Sequence, residues 1–167
     1  MPLEISERTF EIDAVCINYA EIPSSGAPLI LLHGGSARWQ AFESILPELA
    51  AQWHIYAPDF RGHGKSSWVT GTYRLQDYAD DIIAFMRSCV KEPAYIFGHS
   101  LGGMVALLVA AQYPQGVRAV AVGDSPLTSG TWNTALDQGR ERVLVWRDLA
   151  GGQKSFAEVI EALKELR

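Results

Sequence analysis

The sequence predicts an α/β protein: a mostly parallel sheet of about six strands flanked by helices, with an amino-terminal hairpin and a partial helical cap. Three observations carry the prediction. Short, near-continuous apolar runs at residues 29–32, 54–57, 94–97 and 117–122 alternate with segments of helical period. Such alternation builds a parallel sheet covered by helices on both faces. Residues 8–22 instead alternate apolar and polar side chains around Asp13-Ala14, which is the period of an antiparallel hairpin. After Pro126 the strand rhythm stops and only helical patterns follow.

In the hairpin, Phe10, Ile12, Val15, Ile17 and Tyr19 are strand formers, and Pro23-Ser24-Ser25-Gly26 is a turn signal. Trp39, Phe42, Leu46 and Leu49 recur at helical spacing, and so do Leu75, Tyr78, Ala79, Ile82, Ile83 and Met86. Residues 101–113 are apolar on nearly every side, which predicts a buried helix. Beyond Pro126, helical patterns run over 135–149 and onward from Ser155, where Ser155 and Glu158 have capping-box spacing. The expected division is a core over residues 1–125 and a partial helical cap over 126–167.

Composition narrows the partners. Fourteen basic residues against 19 acidic ones give a net charge of −5, and the basic residues are scattered. No patch is available to neutralise a phosphate backbone, so nucleic acid is not an expected partner. Cys16 and Cys89 have neither metal-ligand spacing nor the density of a disulfide scaffold, and read as buried free thiols. The first residues, Met1-Pro2-Leu3-Glu4, lack the regions of a signal peptide, and no apolar run approaches the length of a bilayer span. A cytoplasmic protein with no membrane partner is expected.

The strongest chemical signal is Gly98-His99-Ser100-Leu101-Gly102-Gly103, between the strand run 94–97 and a helix. A turn this sharp strains the serine backbone, and only small residues two before and two after it, here Gly98 and Gly102, avoid collision. Ser100 is the candidate nucleophile. The backbone N–H of Leu101 would face the site where an oxyanion forms. A second signal is His33-Gly34-Gly35-Ser36 after the run 29–32, where small residues free backbone N–H groups; Gly35 or its neighbour Ser36 is the second candidate oxyanion donor. The third, Asp59-Phe60-Arg61-Gly62-His63-Gly64-Lys65-Ser66, ends like a phosphate loop, but that motif needs a glycine where Asp59 stands. A dinucleotide fingerprint fails as well, because Ser67 occupies the third glycine's place.

Taken in order, the hairpin, His33-Gly34-Gly35, the Asp59 to Ser66 octapeptide and Gly98-His99-Ser100-Leu101-Gly102-Gly103 resemble the α/β-hydrolase superfamily. The resemblance covers residues 8–125 and is similar within the superfamily to small bacterial esterases, carbon–carbon bond hydrolases and enol-lactonases. It implies the strand order 1-2-4-3-5-6. It also implies hydrolysis of a small-molecule carboxylic ester, lactone or related acyl substrate, with neither a metal nor an organic cofactor. Arg61 and His63 are carried over as structural residues that brace the oxyanion region. Relatives with an aspartate nucleophile, such as haloalkane dehalogenases, are disfavoured by serine at position 100.

The pattern breaks at the catalytic base. In the superfamily the order is nucleophile, acid, histidine, whereas His33, His54, His63 and His99 all precede Ser100. His99 adjoins Ser100 on a turn where successive side chains diverge, His54 begins a strand, and His33 and His63 are the candidates to substitute. Asp124 stands where some members carry the triad acid; it reads equally as a carboxylate capping the turn before Pro126. The expectation is an incomplete hydrolase domain, ending within the cap and far slower alone than a complete relative, with a non-catalytic fragment or ligand-binding protein as the opposing reading. Its strand at 117–122 would be an exposed edge through which the chain forms a homodimer or aggregates.

Overall fold

The computed structural model describes residues 4–70 and 73–126. Strands β1 (Ser6–Ile12) and β2 (Val15–Ile22) form the antiparallel hairpin, which turns at Asp13 with φ 48°. β3 (Ala27–Leu32), β4 (Trp53–Pro58), β5 (Ala94–His99) and β6 (Val117–Gly123) are parallel to one another. The sheet order is β1-β2-β4-β3-β5-β6, as the resemblance implies, and β2 joins the hairpin to β4 in antiparallel register.

Alternation along β3 divides the core. Ile30 and Leu32 point to one face, where they meet Tyr56, Ile96 and the helices α2 (Leu75–Phe85) and α3 (Leu101–Gln112) through Tyr78, Ile82, Phe85, Val105 and Val109. Leu29 and Leu31 point to the other, against Ile55, Trp39, Phe42 and Leu46. Each such fully buried side chain contributes about 1.5–3 kcal/mol. Both faces of β3 are therefore apolar, and this is why its sequence is a run and not an alternation.

Three elements depart from expectation. The helical stripe Trp39, Phe42, Leu46, Leu49 is split into a 3₁₀ turn (Trp39–Phe42) and a one-turn helix α1 (Leu46–Leu49). Pro47 in the first turn of α1 lacks an N–H and cannot continue a helix from upstream. The first three of these side chains are buried nonetheless, so the apolar spacing marks the face correctly. In α3, predicted to be buried all round, the face formed by Gly102, Gly103, Val105, Ala106 and Val109 is buried and Leu107 is exposed. Similarly β6 is apolar yet half-exposed, with Arg118, Ala119 and Ala121 open. Among the described residues β6 pairs on one side alone, with β5. Cys16 and Cys89 are both free and half-buried, not buried as predicted.

All these elements lie in the compact unit Met1–Ser125. The helical cap expected over 126–167 lies outside the described residues but for Pro126. No helix among the described residues is long and apolar enough to cross a membrane.

Candidate active site

The carboxyl ends of β3, β4, β5 and β6 each feed a loop that bears a candidate residue. Ser100 sits at the tightest of these, between β5 and α3, with φ 51° and ψ −114°. That conformation is sparsely populated for any residue with a side chain and costs about 1–3 kcal/mol. Backbone partners hold it: the Ser100 N–H donates to the Gly123 carbonyl at 2.9 Å, and its own carbonyl accepts from the Gly103 N–H at 3.1 Å. The flanking glycines are dictated by space. A Cβ on Gly98 would stand 2.2 Å from the Gly102 carbonyl oxygen, and one on Gly102 would stand 2.1 Å from the Leu32 oxygen. Leu101 begins α3, where the first N–H groups have no intrahelical acceptor.

The loop after β3 lies against this turn. A Cβ on Gly34 would meet the His99 Nδ1 at 2.9 Å and the Ser100 Cβ at 3.4 Å. The loop closes through the Ala37 N–H, which donates to the Gly34 carbonyl at 3.2 Å, with Ser36 in the left-handed region at φ 64°. Gly35 is at its exposed tip, where a Cβ would meet nothing within 4 Å. A side chain at position 34 would have to displace the His99 ring, whereas position 35 has open space.

Asp59, fully buried at the end of β4, ties the two loops and the hairpin together. Its carboxylate accepts from the Trp39 N–H at 2.7 Å, the Asn18 Nδ2 at 2.9 Å and the Lys65 N–H at 3.1 Å. Ser66 adds a second staple: its hydroxyl donates to the Asp59 carbonyl at 2.7 Å and accepts from the Asn18 N–H at 2.9 Å. Arg61 grips Asp81 of α2 in a fork, Nε and Nη2 each 2.6 Å from a carboxylate oxygen, and the Asp81 carboxylate raises the guanidinium pKa further. Neither Asn18 nor Asp81 is singled out by sequence. The available signal for Asp81 is its place, between Tyr78 and Phe85 on the apolar face of α2.

His33 is wholly buried beneath the loop. Its Nε2 accepts from the Phe60 N–H at 3.1 Å, so the ring proton resides on Nδ1 and is donated to the Gly34 carbonyl at 2.7 Å. With both nitrogens occupied, His33 has no lone pair to take a proton from Ser100. Burial pushes its pKa down to about 4, helped by nearby His63 and opposed by the Gly34 carbonyl and Asp59. An unfolded chain protonates the same ring near pH 6.5. The native state thus binds fewer protons between these values, and stability is lost as pH falls from about 6.5 towards 4, by about 3 kcal/mol in total. Denaturant titrations at pH 7 and pH 5 are expected to show this loss in the native sequence and a smaller one in His33→Gln. Equal losses would assign the effect to other groups.

The remaining histidines are also placed. His63 Nδ1 lies 3.0 Å from the Arg61 carbonyl and its ring is 5.3 Å from that of His33, while His54 pairs with Glu21 at 2.9 Å. His99 is exposed. Asp124 follows β6 at φ 45°, exposed and without a hydrogen bond to another described residue. Among the described residues, no histidine is hydrogen-bonded to the Ser100 hydroxyl or to Asp124, and no cluster of three or more His, Cys, Asp or Glu is placed to hold a metal.

Comparison with known proteins agrees with this architecture. Residues 27–150 match the family described as alpha/beta hydrolase fold. The chain is 34% identical over 117 residues to a 2-(acetamidomethylene)succinate hydrolase of Mesorhizobium japonicum, covering 70% of this chain and 42% of the relative. It is 36% identical over 101 residues to a pimeloyl-[acyl-carrier protein] methyl ester esterase of Neisseria meningitidis, covering 60% and 37%. Among solved structures, the N-acyl homoserine lactonase AidH complexed with N-butanoyl homoserine superimposes with a TM-score of 0.69 at 32% identity, over 73% of this chain and 46% of that one. The chain thus spans less than half the length of each of these relatives. Matched by the family model over residues 27–150, most of its length, the chain belongs to the alpha/beta hydrolase fold family.

Proposed function

We propose that the chain carries the nucleophile half of a serine hydrolase acting on a carboxylic ester, lactone or related acyl substrate. The observation that supports this most is the strained Ser100, held at φ 51° between two glycines whose Cβ atoms would strike backbone. Strain of this kind persists where the surrounding structure over-determines it, and it clusters at active sites. In the proposed reaction the Ser100 oxygen bonds to the acyl carbon, and the charge on the carbonyl oxygen is taken up by the N–H groups of Leu101 and Gly35. The Ser100 hydroxyl proton passes to solvent water. Collapse breaks the bond to the leaving oxygen, which departs as the alcohol with a proton taken from water. A second water then adds its hydroxyl to the acyl carbon and returns a proton to Ser100, releasing the acid. Asp124 is the proposed acid, and His33, Gly34, Arg61, His63, Gly98 and Gly102 hold the loops. The relatives named for cleaving a methyl ester and a lactone support the acyl class.

A second reading, a ligand-binding protein without turnover, is favoured by one observation: the described histidines leave Ser100 without a base. Turnover of a chromogenic short-chain ester by the 167-residue chain decides. A slow rate that disappears in Ser100→Ala supports hydrolysis; a rate unchanged by that substitution refutes Ser100 as the nucleophile.

We also propose that β6 associates with a second copy, since Val117–Gly123 carries one charge and no proline and is unpaired on one side among the described residues. Size-exclusion chromatography with light scattering should show concentration-dependent dimers or larger species. A monomer at every concentration counts against it.

A further inference from the structure

We infer that Ser125 is a positioning residue for the oxyanion site, acting through the peptide that joins Ser100 to Leu101. The chain reverses at Asp124, φ 45°, and this returns the Ser125 hydroxyl to the end of β6 and the start of α3. The hydroxyl donates to the Ser100 carbonyl at 2.8 Å, with the Gly123 carbonyl at 3.3 Å as a weaker second acceptor. The Ser100 carbonyl and the Leu101 N–H are opposite ends of one planar amide. A donor on the oxygen fixes the plane and polarises the N–H, because hydrogen bonds along a chain strengthen one another.

The seat for this hydroxyl is built into the sequence. Gly103 is the third glycine of the Ser100 motif, and the turn crowds it less than Gly98 and Gly102: a Cβ there would stand 3.0 Å from the Gly98 carbonyl oxygen, with its two shorter contacts to side chains. A Cβ at position 103 would stand 2.0 Å from the Ser125 Oγ and 2.7 Å from the Val122 Cγ1. The glycine leaves the room that the hydroxyl fills. Together with the Ser100 N–H bond to Gly123, the contact clamps both polar groups of the Ser100 backbone to the end of β6.

The inference rests on Leu101 being an oxyanion donor, and two readouts separate the two claims. The first is phosphonylation by a fluorophosphonate, in which the Ser100 oxygen bonds to phosphorus, fluoride leaves and the hydroxyl proton passes to water. Intact-mass spectrometry follows the rate, with Ser100→Ala as control. Ser125→Ala should react about tenfold more slowly, short of the 10² to 10³ typical of removing a donor outright, and Ser125→Thr should restore the rate. The second is the Leu101 amide nitrogen resonance, which should move upfield in Ser125→Ala and stay in place in Ser125→Thr. Should the alanine variant fail to fold, Ser125→Cys keeps the shape, weakens the donor and should give the same pair of changes. Phosphonylation of Ser125→Ala at the native rate overturns the inference. Failure of the native chain to react at Ser100 sinks the nucleophile reading instead; the Leu101 resonance then decides alone, and an unmoved resonance overturns the inference.

Discussion

Gly98→Val and Gly102→Val are each expected to abolish soluble folded protein. A valine Cβ at position 98 would lie 2.2 Å from one backbone oxygen and 2.5 Å from the Gly103 nitrogen; at position 102 it would lie 2.1 Å from the Leu32 oxygen and 2.8 Å from that of His33. Flexible side-chain ends are not involved, so relief requires β5 to separate from α3, or α3 from β3. Overpacking a well-filled interior costs about 1–3 kcal/mol where neighbours can yield. Here the neighbours are backbone and the clashing atom is the Cβ itself, which no rotamer can move; the branched methyls add further bulk. The expected loss therefore approaches the whole stability of a domain, about 5–15 kcal/mol. Expression level and thermal melting read the outcome. Cooperative melting near the native temperature in both variants would show that the turn can open at little cost.

Asp81→Ala is expected to destabilise the domain by about 3–5 kcal/mol, the usual loss when one partner of a buried ion pair is removed. The Asp81 side chain is 3% exposed and that of Arg61 15%, so the orphaned guanidinium cannot turn freely into water. Joint replacement by apolar residues, Arg61→Met with Asp81→Leu, should cost less than either single removal, because no uncompensated charge is left behind. Urea titrations of Arg61→Met, Asp81→Leu and the double variant test the cycle; additive losses would mean that the fork contributes no coupling. The position of the fork gives it a second effect. Arg61 follows Phe60, whose N–H supplies His33 with its hydrogen bond, and Asp59, which holds the Trp39 N–H. Loosening the fork should loosen both loops that flank Ser100.

Legibility from sequence follows how local the cause is. The four parallel strands stand out because each is covered by its own apolar run, and the Ser100 turn stands out because two glycines are needed within five residues. The break at Pro47 is visible in hindsight as a proline inside a helical stripe; the stripe itself reports the buried face, not the continuity of the helix. The half-exposure of α3 and β6 is illegible in the same way, since apolar composition states what a segment can bury and not what covers it. Long-range polar contacts are hardest to read. Asn18 meets Ser66 across 48 residues and Asp59 across 41, and nothing near Asn18 announces either partner. His33 reads in sequence as a candidate substitute base, but burial and two hydrogen bonds make it a fixed neutral strut.

The place of β4 between β2 and β3 bears on the order in which the chain can assemble. β2 and β3 are neighbours in sequence but not in the sheet, since β4, which follows both, pairs with one on each side. The hairpin forms early, because its contacts are local. It can join the sheet only after β4 has entered the gap beside it. A chain released with residues up to β3 alone would therefore hold a paired hairpin and an unpaired apolar strand, and its first stable tertiary unit must wait for the residues through Pro58.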